Sequence, residues 1–127
     1  VIYLDSSAIV KLVVREAESD ALLGFLRGRA QRASCGLARV EVARAVASRG
    51  RSAVERARGI VATLDLIALD DALLDAAGDL AGDLRSLDAI HVSAARSLGT
   101  DLECIVTYDG RMSAAATTIG LGVAAPA

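Results

Sequence analysis

Residues 1–12, VIYLDSSAIVKL, decide the fold. VIYL is a short apolar run suited to a strand buried on both faces. Asp5, Ser6 and Ser7 make a strand-to-helix turn, with Ser6 or Ser7 placed to cap the helix AIVKLVV that follows. The same pattern returns near the other end of the chain. CIVTY, residues 104–108, is a second strong buried strand, and Asp109 and Gly110 mark the turn after it.

Between and around these two strands, helices and weaker strands alternate. Helices are expected over residues 17–29, 36–48 and 52–64, in DDALLDAAGDLAG, and from near Ser86 to just before Gly99. RASC is a weak strand, residues 66–69 (LIAL) another, and GVAA near Pro126 a last edge strand. The alternation predicts an α/β fold, a three-layer α/β/α sandwich with a mostly parallel central sheet, and residues 1–127 read as one domain. Repeats, low-complexity tracts and linkers are absent.

Composition narrows the function classes. The chain has 127 residues, a formal net charge of −2 and 2% aromatics, with a mean hydropathy of +0.46. No apolar run approaches the roughly 18–20 residues of a membrane span. No export signal is recognisable, so a cytoplasmic protein is expected. Cys35 and Cys104 lie far apart and outside any C-x-x-C spacing, which argues for reduced core residues rather than a disulfide or a zinc site. The chain is not a nucleic-acid binder by bulk charge. Its arginines nevertheless crowd residues 27–58, while acids crowd 65–83, so the first half could meet a polyanion.

Open parallel sheets bind ligands outside the carboxyl ends of their strands. Asp5 and Asp109 each follow a strong strand, so both stand at that edge if the strands are central. Each also suits a helix N-cap. Asp88 lies two residues after Ser86, an expected N-cap, in the first turn of a mostly apolar helix where the macrodipole favours an anion. Glu41 belongs to a narrow polar stripe with Arg44 and Ser48 on an otherwise apolar helix. It either pairs with Arg44 or points into a cleft with the other acids. Clustered carboxylates repel unless a cation neutralises them. An all-oxygen set suits Mg²⁺ or Mn²⁺, and such an ion activates water and clamps phosphate oxygens. The residues alone therefore point to metal-assisted phosphoryl hydrolysis.

VIYLDSSAIVKL, ARVEVARA, SLDAIHVSAA and IVTYDGRM, in this order, resemble the PIN domain and, more narrowly, the VapC toxins of bacterial toxin–antitoxin pairs. The resemblance runs from Val1 to about Gly122. It implies an endoribonuclease that uses Mg²⁺ or Mn²⁺ held by Asp5, Glu41, Asp88 and Asp109, with Ser6 as a supporting residue near a metal-bound water. It further implies a cytoplasmic homodimer restrained by a cognate antitoxin protein, acting on structured RNA such as tRNA or rRNA. Two alternatives stay open: a PIN-like RNA- or protein-binding module that does not cut, and a PIN nuclease of RNA processing without an antitoxin. A haloacid-dehalogenase phosphatase needs a second Asp where Ser7 stands, and a receiver domain needs a late lysine, whereas Lys11 is the only lysine. His91 reads as structural, and Asp75, Asp79 and Asp83 as a solvated helix face.

Overall fold

The computed structural model describes residues 1–127. The elements run β1 (Ile2–Leu4), α1 (Ser6–Val13), α2 (Ser19–Leu26), β2 (Arg32–Cys35), α3 (Ala38–Val46), α4 (Arg51–Val61), β3 (Asp65–Ile67), α5 (Asp71–Gly78), α6 (Ser86–Arg96), β4 (Cys104–Val106), α7 (Gly110–Thr118) and β5 (Val123–Ala124), with short 3₁₀ turns at Ala47–Arg49 and Gly99–Asp101. Every strand pairing is parallel, and the order is β3-β2-β1-β4-β5. The sheet is thus wholly parallel.

The two continuous apolar runs became the two central strands. Tyr3 lies opposite Ala33 on one side and Ile105 on the other. The chain winds outward one way through β2 and β3, then returns to the other side of β1 for β4 and β5. The switch point therefore falls between the carboxyl ends of β1 and β4, where such sheets form their crevice.

Strand alternation divides the core in two. Ile2, Leu4 and Val106 face a layer built from α1, α2, α3 and α4, through Ile9, Leu22, Val42 and Ala57. Tyr3, Ala33, Cys35 and Ile105 face α5, α6 and α7, through Leu73, Ala94 and Ala116. Both cysteines are free and buried. β5 enters through Gly122, where a Cβ would meet Glu103 O at 2.8 Å, so a side chain there would push the edge strand off the sheet.

Several expectations shift. α2 is shorter than the apolar residues suggested. β3 starts one residue earlier and stops at Ile67. α3 is not covered all round: it buries Ala38, Val42 and Val46, while Arg39, Arg44 and Ala45 are exposed and Val40 is 58% exposed. α5 ends at Gly78, so Asp79 and Asp83 do not stack with Asp75 on one helix face. No helix is long and apolar enough to cross a membrane.

Candidate active site

Asp5 stands where β1 ends and α1 begins. It is 2% exposed. Its Oδ1 accepts from Ser7 Oγ at 2.6 Å and from the Ala8 amide at 2.9 Å, which makes Asp5, not Ser6 or Ser7, the N-cap of α1. Its Oδ2 accepts from Thr107 Oγ1 at 2.5 Å. Burial pushes this carboxyl up. The bonds from Ser7, Thr107 and Ala8 and the nearby charge of His91 oppose that rise.

Asp109 repeats the arrangement after β4. Its Oδ1 caps α7 by accepting from the Met112 amide at 2.9 Å. Its own amide donates to Thr107 Oγ1 at 3.1 Å, so Thr107 ties the two caps together across the switch point. Each aspartate caps with one oxygen and keeps the other for a different bond: Asp5 Oδ2 accepts from Thr107, and Asp109 Oδ2 takes no part in the cap. Thr107 carried no signal in the sequence beyond its place between strand and acid.

Glu41 sits in the first turn of α3. It makes no pair with Arg44. Ser6 Oγ donates to its Oε1 at 2.8 Å, and His91 Nε2 lies 2.6 Å from the same oxygen. His91 is 2% exposed, and its Nδ1 meets Tyr3 Oη at 2.8 Å and Cys35 Sγ at 3.7 Å. Burial alone would push the imidazole down. The contacts to Cys35 and Glu41 outweigh it and raise the group to about 10. Burial likewise works to raise Glu41, but the bonds from His91 and Ser6 and the charge of Arg85 hold it below the usual glutamate value. A protonated ring donates from Nε2 to Glu41 and from Nδ1 to Tyr3.

His91 is buried, as a structural histidine should be, yet its role is to hold Glu41 through α6. Its distance of 3.4 Å from Ser6 Oγ does not make a nucleophile–base pair, because a protonated imidazole cannot take the serine proton. Ser6 supports the site through Glu41.

Asp88 is the third residue of α6 and mostly buried. The N-cap of that helix is Arg85, with no side-chain cap bond, rather than Ser86. Arg85 Nε donates to Asp88 Oδ2 at 2.9 Å, and its Nη2 lies 3.4 Å from Asp109 Oδ2. Sequence reasoning passed over Arg85, although an arginine three residues before an acid at a helix start is a recognisable pair.

The four predicted acids thus come from four elements to one end of the sheet, linked by Ser6, Thr107, His91 and Arg85. Asp75 and Asp79 are exposed and apart from them. A groove of about 630 Å³ lies between α3 and α4, is lined by Arg39, Val40, Arg44 and Arg58, and includes none of the four acids. No three His, Cys, Asp or Glu side chains are close enough to form a ready-made metal cage. The donor set still fits a hard divalent ion. Mg²⁺ keeps several waters and needs only one or two carboxylates directly. Glu41 Oε2 and Asp88 Oδ1 accept no hydrogen bond within the protein, which leaves them free for such an ion or its waters.

Comparison with known proteins agrees with this architecture. The PIN domain family matches residues 2–117. Ribonuclease VapC46 of Mycobacterium tuberculosis is 55% identical over 126 residues, covering 98% of this chain and 97% of its own length. Ribonuclease VapC35 of the same species is 37% identical over 130 residues, with 98% and 96% covered. The crystal structure of M. tuberculosis VapC20, described as a Sarcin-Ricin loop cleaving toxin, superposes with a TM-score of 0.75 at 17% identity, covering 95% of this chain and 96% of that one, and shares the fold. With a family match over nearly all its length and relatives this similar from end to end, the chain belongs to the PIN domain family and, within it, to the VapC ribonucleases.

Proposed function

We propose that this chain is a metal-dependent endoribonuclease, the toxin of a toxin–antitoxin pair, working at a site formed by Asp5, Glu41, Asp88 and Asp109 with Ser6 in support, and that residues 1–127 form a single PIN domain. The observation that carries this reading is the chain of bonds through Ser6, Thr107 and Arg85 that links four carboxylates from four elements at the switch point of a parallel sheet.

Mg²⁺ or Mn²⁺, when bound, supplies an acidified water and a clamp on a phosphate oxygen. The protein's part is orientation. Asp5 is fixed by three donors and Glu41 by two, so neither has to be immobilised when substrate arrives. Water adds its oxygen to phosphorus, the P–O3′ bond breaks, and the departing O3′ takes a proton. The products carry a 5′-phosphate and a 3′-hydroxyl. The substrate's 2′-hydroxyl has no part in this. Mapping the ends left on RNA incubated with the protein and Mn²⁺ tests it: 5′-phosphates are expected, and 2′,3′-cyclic phosphates would overturn the hydrolytic mechanism. Intact RNA would favour a binding module.

Structured RNA, tRNA or rRNA, is the substrate class this surface suits. Arg39, Arg44, Arg49, Arg51 and Arg111 are exposed: the first four lie on or just after α3, the helix that carries Glu41, and Arg111 is two residues past Asp109. Aromatic stacking has little to offer: Tyr3 is buried, Tyr108 is half-buried and bonded to Pro126 O, and Phe25 lies under Arg29. Recognition therefore rests on phosphate contacts and RNA shape. The partner is a cognate antitoxin, and the protein is a cytoplasmic homodimer. Exposed Leu74 and Leu87, beside a groove containing Leu80 and Leu84, supply apolar surface for self-association.

A further inference from the structure

Arg85 is the one cation that reaches two of the four acids at once. Its Nε donates to Asp88 Oδ2 at 2.9 Å, and its Nη2 stands 3.4 Å from Asp109 Oδ2. No other side chain in the protein pairs with Asp88, and Asp109 Oδ2 has no other partner. The arginine follows a loop that turns at Gly82, with a φ of +109°. Its side chain is 67% exposed, whereas the Asp88 side chain is 12% exposed. The acids are thus mostly covered by the fold while the guanidinium lies open to solvent.

A guanidinium in this position does for the metal-free protein what a divalent ion would do: it neutralises neighbouring carboxylates that repel each other. It cannot stay once such an ion binds. Two cations a few ångströms apart between the same oxygens repel, and a doubly charged ion outcompetes a singly charged, solvent-screened one.

We propose that Arg85 is a built-in counter-ion of the carboxylate site, bridging Asp88 and Asp109 when no metal is bound and displaced from them by the divalent ion, so that this exchange sets the metal affinity of the chain. The inference rests on the reading of the four acids as the metal set. It goes beyond that reading in giving the protein two alternative states of one site, with Arg85 released to the cleft rim only in the loaded one.

Titration calorimetry with Mn²⁺ alone, on wild type, Arg85→Gln and Arg85→Lys, measures the exchange without any assay of activity. Arg85→Gln should bind roughly fivefold tighter, in keeping with the modest strength of an exposed ion pair that no longer competes. Arg85→Lys, which keeps the charge but loses the planar fork, should fall between the two. In metal-free buffer the Arg85 Nε–H resonance should be protected from exchange with water, and saturating Mg²⁺ should remove that protection. Equal Mn²⁺ affinity in wild type and Arg85→Gln would overturn the exchange while leaving the metal site standing. So would an Nε–H that stays protected with Mg²⁺ bound. Failure of both proteins to bind Mn²⁺ would overturn the metal reading itself, and the exchange with it.

Discussion

The residues of the site are held by more bonds than a surface carboxylate needs. Asp5 is the clearest case: a buried carboxylate with three donors, whose burial still pushes its pKa up. Its charge is therefore a cost to the fold that the site makes use of. Asp5→Asn keeps an oxygen for the Ala8 cap and removes the charge. Cleavage in Mn²⁺ should fall at least about a hundredfold, the scale of losing a group that acts in the transition state, while thermal unfolding shifts little or upward. Full activity in this variant would remove Asp5 from the site. His91 and Glu41 give a pH signature in metal-free protein. His91 is raised to about 10, so its contribution is fully present below the unfolded value near 6.5 and is lost as pH climbs through about 10. Glu41 is lowered, so its contribution is present above the unfolded value and is lost in acid. The stability difference between wild type and His91→Gln should thus be greatest near pH 6 and shrink toward pH 10. A difference independent of pH would mean that the imidazole charge does not act on Glu41. The placing of Asp5, Glu41, Asp88 and Asp109 at one end of the sheet was legible from their types and positions. Thr107 and the bond from His91 to Glu41 were not, because contacts across 50 and 102 positions leave no local pattern; Arg85 left one in its i,i+3 spacing to Asp88, but none for its reach to Asp109, 24 positions away.

Among the elements, the strand-to-helix turns do two jobs. Asp109 caps α7 with Oδ1 and offers Oδ2 to the site. Asparagine caps about as well as aspartate, while alanine loses about 1 kcal/mol. Asp109→Ala should therefore lower the melting temperature and impair cleavage. Asp109→Asn should impair cleavage with the melting temperature unchanged. If both variants melt alike, the cap does not contribute to stability. The sequence pointed to the right turns but to neighbouring caps. In Asp5-Ser6-Ser7 all three residues are good caps, and only the extended backbone at Asp5, with φ −75° and ψ 175°, decides which one serves. At α6 the pattern favoured Ser86, yet the helix begins there and Arg85 takes the cap position, its side chain turned to the acids instead. α3 misled by composition: Val40 and Ala45 look like core on a wheel but lie on its outer side, where Val40 borders the arginine-lined groove.

For the whole molecule, the order of strands makes the site. β1 and β4 are distant in sequence and adjacent in the sheet, and their carboxyl ends bring Asp5 and Asp109 together. These two strands were readable because burial on both faces demands an unbroken apolar run. β2 was vague because Arg32 and Ser34 interrupt its apolar residues, and β3 and β5 because they lie at the edges, where half-exposed residues such as Leu66 and Val123 blur the pattern. The α3 and α6 helices pack on opposite faces of the sheet, yet Glu41 and His91 meet, so the site clasps the two layers together at the end where substrate would arrive. The proposed chemistry depends on a divalent ion at this junction. Crystals soaked in Mn²⁺ and measured at its absorption edge test it most directly. An anomalous peak is expected within coordination distance of carboxylate oxygens of at least two of Asp5, Glu41, Asp88 and Asp109, with Arg85 turned away from Asp109. A peak only elsewhere, or none at saturating Mn²⁺ with Arg85 still bridging Asp88 and Asp109, would contradict it.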